Sequence, residues 1–85
     1  MGLKRGFEVE WCAGCPVRDG ETIMDAADWR FKDFADKPAA MAFAAKVLPK
    51  DFFGSVRVTE FEMQPYEPGY PGLCREHIGD PEYVD

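Results

Sequence analysis

The residues best suited to chemistry are three cysteines and one histidine, which fall into two pairs of equal spacing, Cys12-x2-Cys15 and Cys74-x2-His77. Two intervening residues let a tight turn aim both side chains at one ion. Two such turns complete a tetrahedron at zinc–ligand distances. Gly14 permits a sharp turn within the first pair, and Pro16 fixes the direction in which the chain leaves it. Cys12, Cys15, Cys74 and His77 are therefore expected to hold one structural zinc ion. With all four positions filled, no open place for a reactive water remains, so metal catalysis is not expected. The ion would clamp the C-terminal segment onto the end of the first strand, and a chain of 85 residues has reason to need such a staple.

The two half-sites resemble zinc knuckles and treble-clef-like fingers, in which Cys-x2-Cys is followed by Cys-x2-His. Leu73-Cys74-Arg75-Glu76-His77 is similar to such a second half, although 58 residues separate the halves here, far more than in a compact finger. Other states of the thiols stay open. Trp11-Cys12-Ala13-Gly14-Cys15-Pro16 resembles the redox motif of thioredoxins. That chemistry needs its first cysteine at a helix N-terminus, and Pro16 to Gly20 makes a poor helix. A disulfide between Cys12 and Cys15, or from either to Cys74, leaves an odd thiol; three unlinked thiols are the remaining alternative. There is no glycine-rich phosphate loop, and no Ser-His-Asp set forms once His77 is committed to metal. The chain is expected not to be an enzyme.

The elements that must position these residues follow from periodicity. Phe7-Glu8-Val9-Glu10-Trp11 alternates strictly and predicts a half-buried strand. Arg18-Asp19-Gly20-Glu21 is a turn signal, and Thr22 to Asp28 is ambiguous between a helical turn and an edge strand. Trp29 to Phe34 predicts a second strand with Trp29 and Phe31 facing inward. Asp36 can cap a helix, Pro38 is tolerated in its first turn, and Ala40, Phe43, Ala44 and Val47 form one stripe that Met41 and Leu48 widen. Pro49 ends it. Phe52-Phe53-Gly54 should tuck under the helix end. Ser55 to Met63 is a third strand whose apolar positions change parity between Val58 and Phe61, which predicts an extra residue near Thr59-Glu60 or partial cover on both faces. Glu8/Glu10 and Glu60/Glu62 read as solvated strand positions. Prolines and glycines from Pro65 onward predict an extended tail. The expected fold is α+β, a three-stranded sheet with one helix in the order β-β-α-β. Residues 1–85 form one domain, divided into a core over 1–64 and an acidic tail over 65–85 clamped back by the metal. Strands two and three would run parallel through a crossover.

Composition narrows the partners. Hydrophobic residues make up 46% of the chain, enough for a packed globule, while 10 basic against 16 acidic side chains argue against general nucleic-acid binding. The longest apolar run, Pro38 to Ala45, is too short for a membrane span, and no apolar signal region follows Lys4-Arg5. A cytoplasmic protein is expected. Residues 1–59 balance nine basic side chains with nine acidic ones, whereas residues 60–85 set seven acids against Arg75 alone. An anionic surface of Glu60, Glu62, Glu67, Glu76, Asp80 and Glu82, with Tyr66 and Tyr70 as anchors, suits the basic surface of a host protein.

In acidity and small sheet-plus-helix architecture the chain resembles phage-encoded inhibitor proteins, anti-CRISPR proteins among them. That resemblance implies a viral, non-enzymatic inhibitor that blocks a nucleic-acid-binding surface of a host complex. The alternative is a zinc-finger-type adaptor or nucleic-acid-associated accessory protein with a local basic patch of Lys4, Arg5, Arg18, Arg30 and Lys32.

Overall fold

Strict alternation in the opening segment makes it a strand with one apolar face. In the computed structural model, which describes residues 4–65, 67–69 and 71–85, β1 (Arg5–Cys12) is paired on both sides. The other elements are β2 (Val17–Arg18), β3 (Glu21–Thr22), β4 (Trp29–Phe34), α1 (Lys37–Val47), β5 (Val56–Pro65) and β6 (Leu73–Val84). The main sheet has four strands in the order β4-β1-β5-β6 with every neighbouring pair antiparallel, and β2 and β3 form a separate two-stranded ribbon. This corrects the expected three-stranded β-β-α-β sheet with an extended tail. Residues 73–84 are a fourth strand, β6. Its Pro81 lacks a ladder donor, which an edge strand tolerates. β4 and β5 both run antiparallel to β1 and so parallel to one another, with β1 inserted between them and α1 crossing over it.

The helix begins where the capping chemistry places it. Asp36 Oδ1 accepts from the Ala39 N–H at 2.9 Å, and Pro38 sits in the first turn. Ala40, Ala44 and Val47 are buried against Val9, Val56 and Val58, and Phe43 packs edge-on against Trp11 with ring centroids 5.2 Å apart. Phe7, Val9 and Trp11 therefore line the helix face of β1.

The other face is not simply solvated, because β5 changes face along its length. Its register with β1 is continuous, Val9 opposite Val58, Glu8 opposite Thr59 and Gly6 opposite Phe61. Val56 and Val58 thus point at the helix while Phe61, fully buried, points away from it. The irregularity near Thr59 lies in the pairing with β6. Val58 faces Glu82 and Glu60 faces Ile78, so Gly79, Asp80 and Pro81 stand opposite the single Thr59. The surplus is on β6, not on β5 as expected. Gly79 at φ +70° takes a backbone conformation that suits glycine at such a bulge.

Trp29 and Phe31 also differ from expectation. They pair with Cys12 and Glu10 and lie on the open face, 43% and 55% exposed. Phe34, of opposite parity, is the β4 aromatic that meets the helix, 5.2 Å from Phe43. Phe52 and Phe53 do not tuck under the helix end; both are exposed, and Phe53 stacks on Trp29. Thr22–Asp28 stays out of the main sheet, with Glu21–Thr22 in the ribbon and a single 3-10 turn at Met24–Ala26.

The turn after the helix is tied to the end of β1 by one carboxylate. Asp51 Oδ1 accepts from the Cys12 N–H at 2.7 Å, and its Oδ2 accepts from Phe53 and Ser55 N–H at 2.9 and 3.1 Å. The Phe52 N–H donates back to the Cys12 carbonyl at 2.8 Å. Replacing the carboxylate leaves three backbone donors unpaired. Asp51→Ala should lower stability by about 2 to 3 kcal/mol, a typical cost for a stranded part-buried donor set. A denaturant midpoint that falls at unchanged slope is the expected readout.

Candidate functional site

Strand register decides which of the candidate ligands can meet. Cys74 lies opposite Gln64, and His77 opposite Phe61, which is itself opposite Gly6. Cys12 is at the far end of β1. At about 3.3 Å per residue, Cys12 and Cys74 are roughly 30 Å apart along the strands, and Cys12 and His77 roughly 20 Å. One zinc ion, with ligands about 2.3 Å away, does not bridge these distances. Cys12, Cys15, Cys74 and His77 therefore do not form the expected single site. The C-terminal segment is held by strand pairing with β5 instead. Among the described residues no group of three or more His, Cys, Asp or Glu side chains is placed to hold a metal ion. The three cysteines are free thiols.

Cys12 and Cys15 do remain neighbours. Cys12 is buried with its Sγ 3.2 Å from the Gly14 carbonyl, and Cys15 Sγ is 3.2 Å from the Ile23 carbonyl. Partial desolvation, and then the charge of Cys12, push the Cys15 thiol above its ordinary pKa. That is the opposite of an activated redox thiolate.

His77 is committed elsewhere. On the open face its Nε2 lies 2.8 Å from Glu8 Oε2, and the same oxygen accepts from Arg75 Nη1 at 3.0 Å. Arg75 also grips both oxygens of Asp33, at 2.9 and 2.6 Å, and its guanidinium lies 4.0 Å above the Phe61 ring centroid. The hydrogen bonds that Arg75 donates to Asp33 chiefly, opposed by partial desolvation and aided by Glu8, push the Arg75 pKa further up. A second pair, Glu10 with Arg57, sits beside it. The Glu8 side chain is only 8% exposed, which contradicts its reading as solvated surface. Sequence reasoning missed Glu8, Asp33 and Arg75 as a set. The available signal was the parity of Phe61 and Met63, which announced that the second face is also covered.

The acidic positions separate by face. Glu60, Glu62, Glu76 and Glu82 share the helix side of β5 and β6, as their pairing with Phe7, Arg5, Glu62 and Val58 shows. Asp80 is exposed at the bulge and Glu67 in the turn between the strands. Tyr66 and Tyr70 lie outside the described residues. Arg5 bonds Glu60 and Lys37 pairs with Glu82. No ion pair among the described residues engages Glu62, Glu76 or Asp80. Glu62 and Glu76 are direct cross-strand partners. Like charges in that arrangement destabilise a sheet.

The expected basic patch is dispersed. Arg30 is paired with Asp28, Arg5 lies at the other end of the sheet against Glu60, and Lys32 covers the rings of Phe34 and Phe43. Among the described residues no helix is long and apolar enough to cross a membrane. No protein-family model matches the chain, nor does any curated protein or solved structure.

Two outcomes follow from this geometry. Arg75→Met strands the Glu8 carboxylate on a largely covered face and should cost about 2 kcal/mol, below the range for a fully buried pair because Arg75 is partly exposed. Glu8→Gln in the same chain should recover much of that loss, measured as a double-mutant cycle in denaturant. For Cys15, a raised pKa keeps the thiol protonated to higher pH in the fold than in the unfolded chain. Its alkylation by iodoacetamide should have a midpoint above that of the unfolded chain, and its contribution to stability should decline as pH rises past the ordinary thiol range.

Proposed function

We propose that this chain is a non-enzymatic, acidic protein-binding module whose helix-side acidic surface on β5 and β6 docks on a basic surface of a partner protein. The observation that carries the reading is the Glu62–Glu76 cross-strand pair. Two carboxylates directly opposite one another weaken the sheet, roughly by 0.2 to 1 kcal/mol; Arg5, opposite Glu62 on β1, is bonded to Glu60 instead, and no ion pair among the described residues engages Glu62 or Glu76. A cationic partner side chain placed between them would turn that repulsion into attraction. Exposed Asp80 and Glu67 extend the surface, and Glu60 and Glu82 form its inner edge. Dispersal of Arg5, Arg30 and Lys32 into local contacts favours this reading over a nucleic-acid-associated adaptor. The raised thiol of Cys15 and the engagement of His77 with Glu8 favour it over a thiol oxidoreductase. An inhibitor that covers a nucleic-acid-binding surface is the finer form of the proposal, since such surfaces are basic. Three free cysteines fit a reducing compartment such as the cytoplasm.

Glu76→Lys separates binding from folding. It removes a repulsion, so the thermal midpoint should rise or hold, while association with the captured partner should slow and lose salt sensitivity. The wild-type association rate should fall roughly tenfold or more from low to high salt if charge steers the encounter. Salt-independent capture, or Glu76→Lys binding as fast as wild type, would overturn the proposal.

A further inference from the structure

The connection between β1 and β4 is built more firmly than a linker requires. The Ala13 N–H donates to the Asp28 carbonyl at 2.8 Å, the Asp28 N–H to the Gly14 carbonyl at 2.9 Å, and the Ile23 N–H to the Pro16 carbonyl at 2.8 Å. Between these ties β2 and β3 close a tight hairpin through Asp19 and Gly20, both at positive φ (53° and 80°). Both signs match the turn that two-residue hairpins favour. These three ties and the hairpin hold the 3-10 turn at Met24–Ala26 against the Cys12–Cys15 turn.

The consequence is a cluster of sulfur. Met24 Sδ lies 4.0 Å from Cys15 Sγ. Two sulfurs each about 2.3 Å from one ion, and about 120° apart around it, lie roughly 4 Å from one another. That pair is thus already spaced as two ligands of one ion. Cys12, three residues before Cys15 and fully buried on the inner side of the loop, would supply a third sulfur through the Cys-x2-Cys spacing. Each thiol directs its weak hydrogen bond to a loop carbonyl, Gly14 for Cys12 and Ile23 for Cys15. No His or carboxylate joins the group as a further ligand among the described residues. A donor set of two thiolates and one thioether is soft. It suits Cu(I), which accepts low coordination numbers and thioether sulfur, and it poorly suits zinc, which wants four N or S donors, and hard cations, which want oxygen.

We propose that Cys12, Cys15 and Met24 form a three-sulfur binding site for a soft monovalent metal ion of the Cu(I) type. Binding breaks two S–H bonds, releases two protons to solvent and forms three metal–sulfur bonds, with no change in oxidation state of metal or sulfur. Cys74, at the opposite end of the sheet, takes no part.

Reduced full-length protein is titrated without oxygen against the Cu(I)–bathocuproine disulfonate complex, whose colour reports transfer. Wild type should withdraw one equivalent of copper, and absorption at the copper K-edge should show sulfur neighbours only. Met24→Leu should weaken binding by at least the roughly tenfold that even outer partners of a metal site contribute. Cys15→Ser should abolish competition with the chelator, and Cys74→Ser should change nothing. Met24 is exposed and Cys15 is partly exposed, so both variants should keep the wild-type circular dichroism. No transfer to reduced wild type, equal affinity in a folded Met24→Leu, or dependence on Cys74 would each overturn the site.

Discussion

A carboxylate that must leave water needs a cation, and Glu8 imposes that requirement on the whole sheet. Alternation along β1 places Phe7, Val9 and Trp11 under α1, so Glu8 is forced onto the opposite face beside Phe61. There it is nearly covered, and an unpaired anion in that position is costly. Arg75 supplies the charge from β6, and the same guanidinium reaches Asp33 on β4 while covering the Phe61 ring. One side chain thereby spans three neighbours and joins the two edge strands across the middle of the sheet. His77, two residues on, adds a second contact to the same carboxylate.

Pairing of β6 with β5 holds the C-terminal region in place of the expected clamp by Cys12, Cys15, Cys74 and His77. Twelve residues lie along β5, and the bulge at Gly79 to Pro81 lets the ladder continue past the one place where the registers disagree. The bulge also leaves Asp80 exposed near Glu60 and Glu82. Charge is therefore sorted by the fold. Arg57 and Arg75 neutralise the carboxylates of the open face, while on the helix side of β5 and β6 Glu62 and Glu76 enter no ion pair among the described residues. An anionic surface arises from that sorting rather than from the overall charge alone.

How the loop before β4 is tied matters for the same reason. Asp51 anchors the Cys12 end of β1 to the turn after α1, and the backbone bonds from Ala13 and Asp28 close the loop behind it. Cys12 and Cys15 are thus held by ordinary backbone chemistry. Their spacing in sequence matched a metal half-site, yet the second half at Cys74 and His77 was carried away by the strand it belongs to.

Several features were legible from residues alone because their causes are local. Asp36, Pro38 and the Ala40–Phe43–Ala44–Val47 stripe specify a capped amphipathic helix within one short window. The alternation of Phe7, Val9 and Trp11 specifies a strand, and Asp19-Gly20 specifies a turn. The parity change between Val58 and Phe61 recorded a second covered face, though not which residue covers it. Tertiary structure alone decided the rest. Register is a relation between strands distant in sequence, so it fixed that Arg75 meets Glu8, that Glu62 faces Glu76, and that Cys74 lies far from Cys12. Equal Cys-x2 spacings report what a turn can do with its own side chains; only the pairing of β1, β5 and β6 determines whether two such turns ever meet.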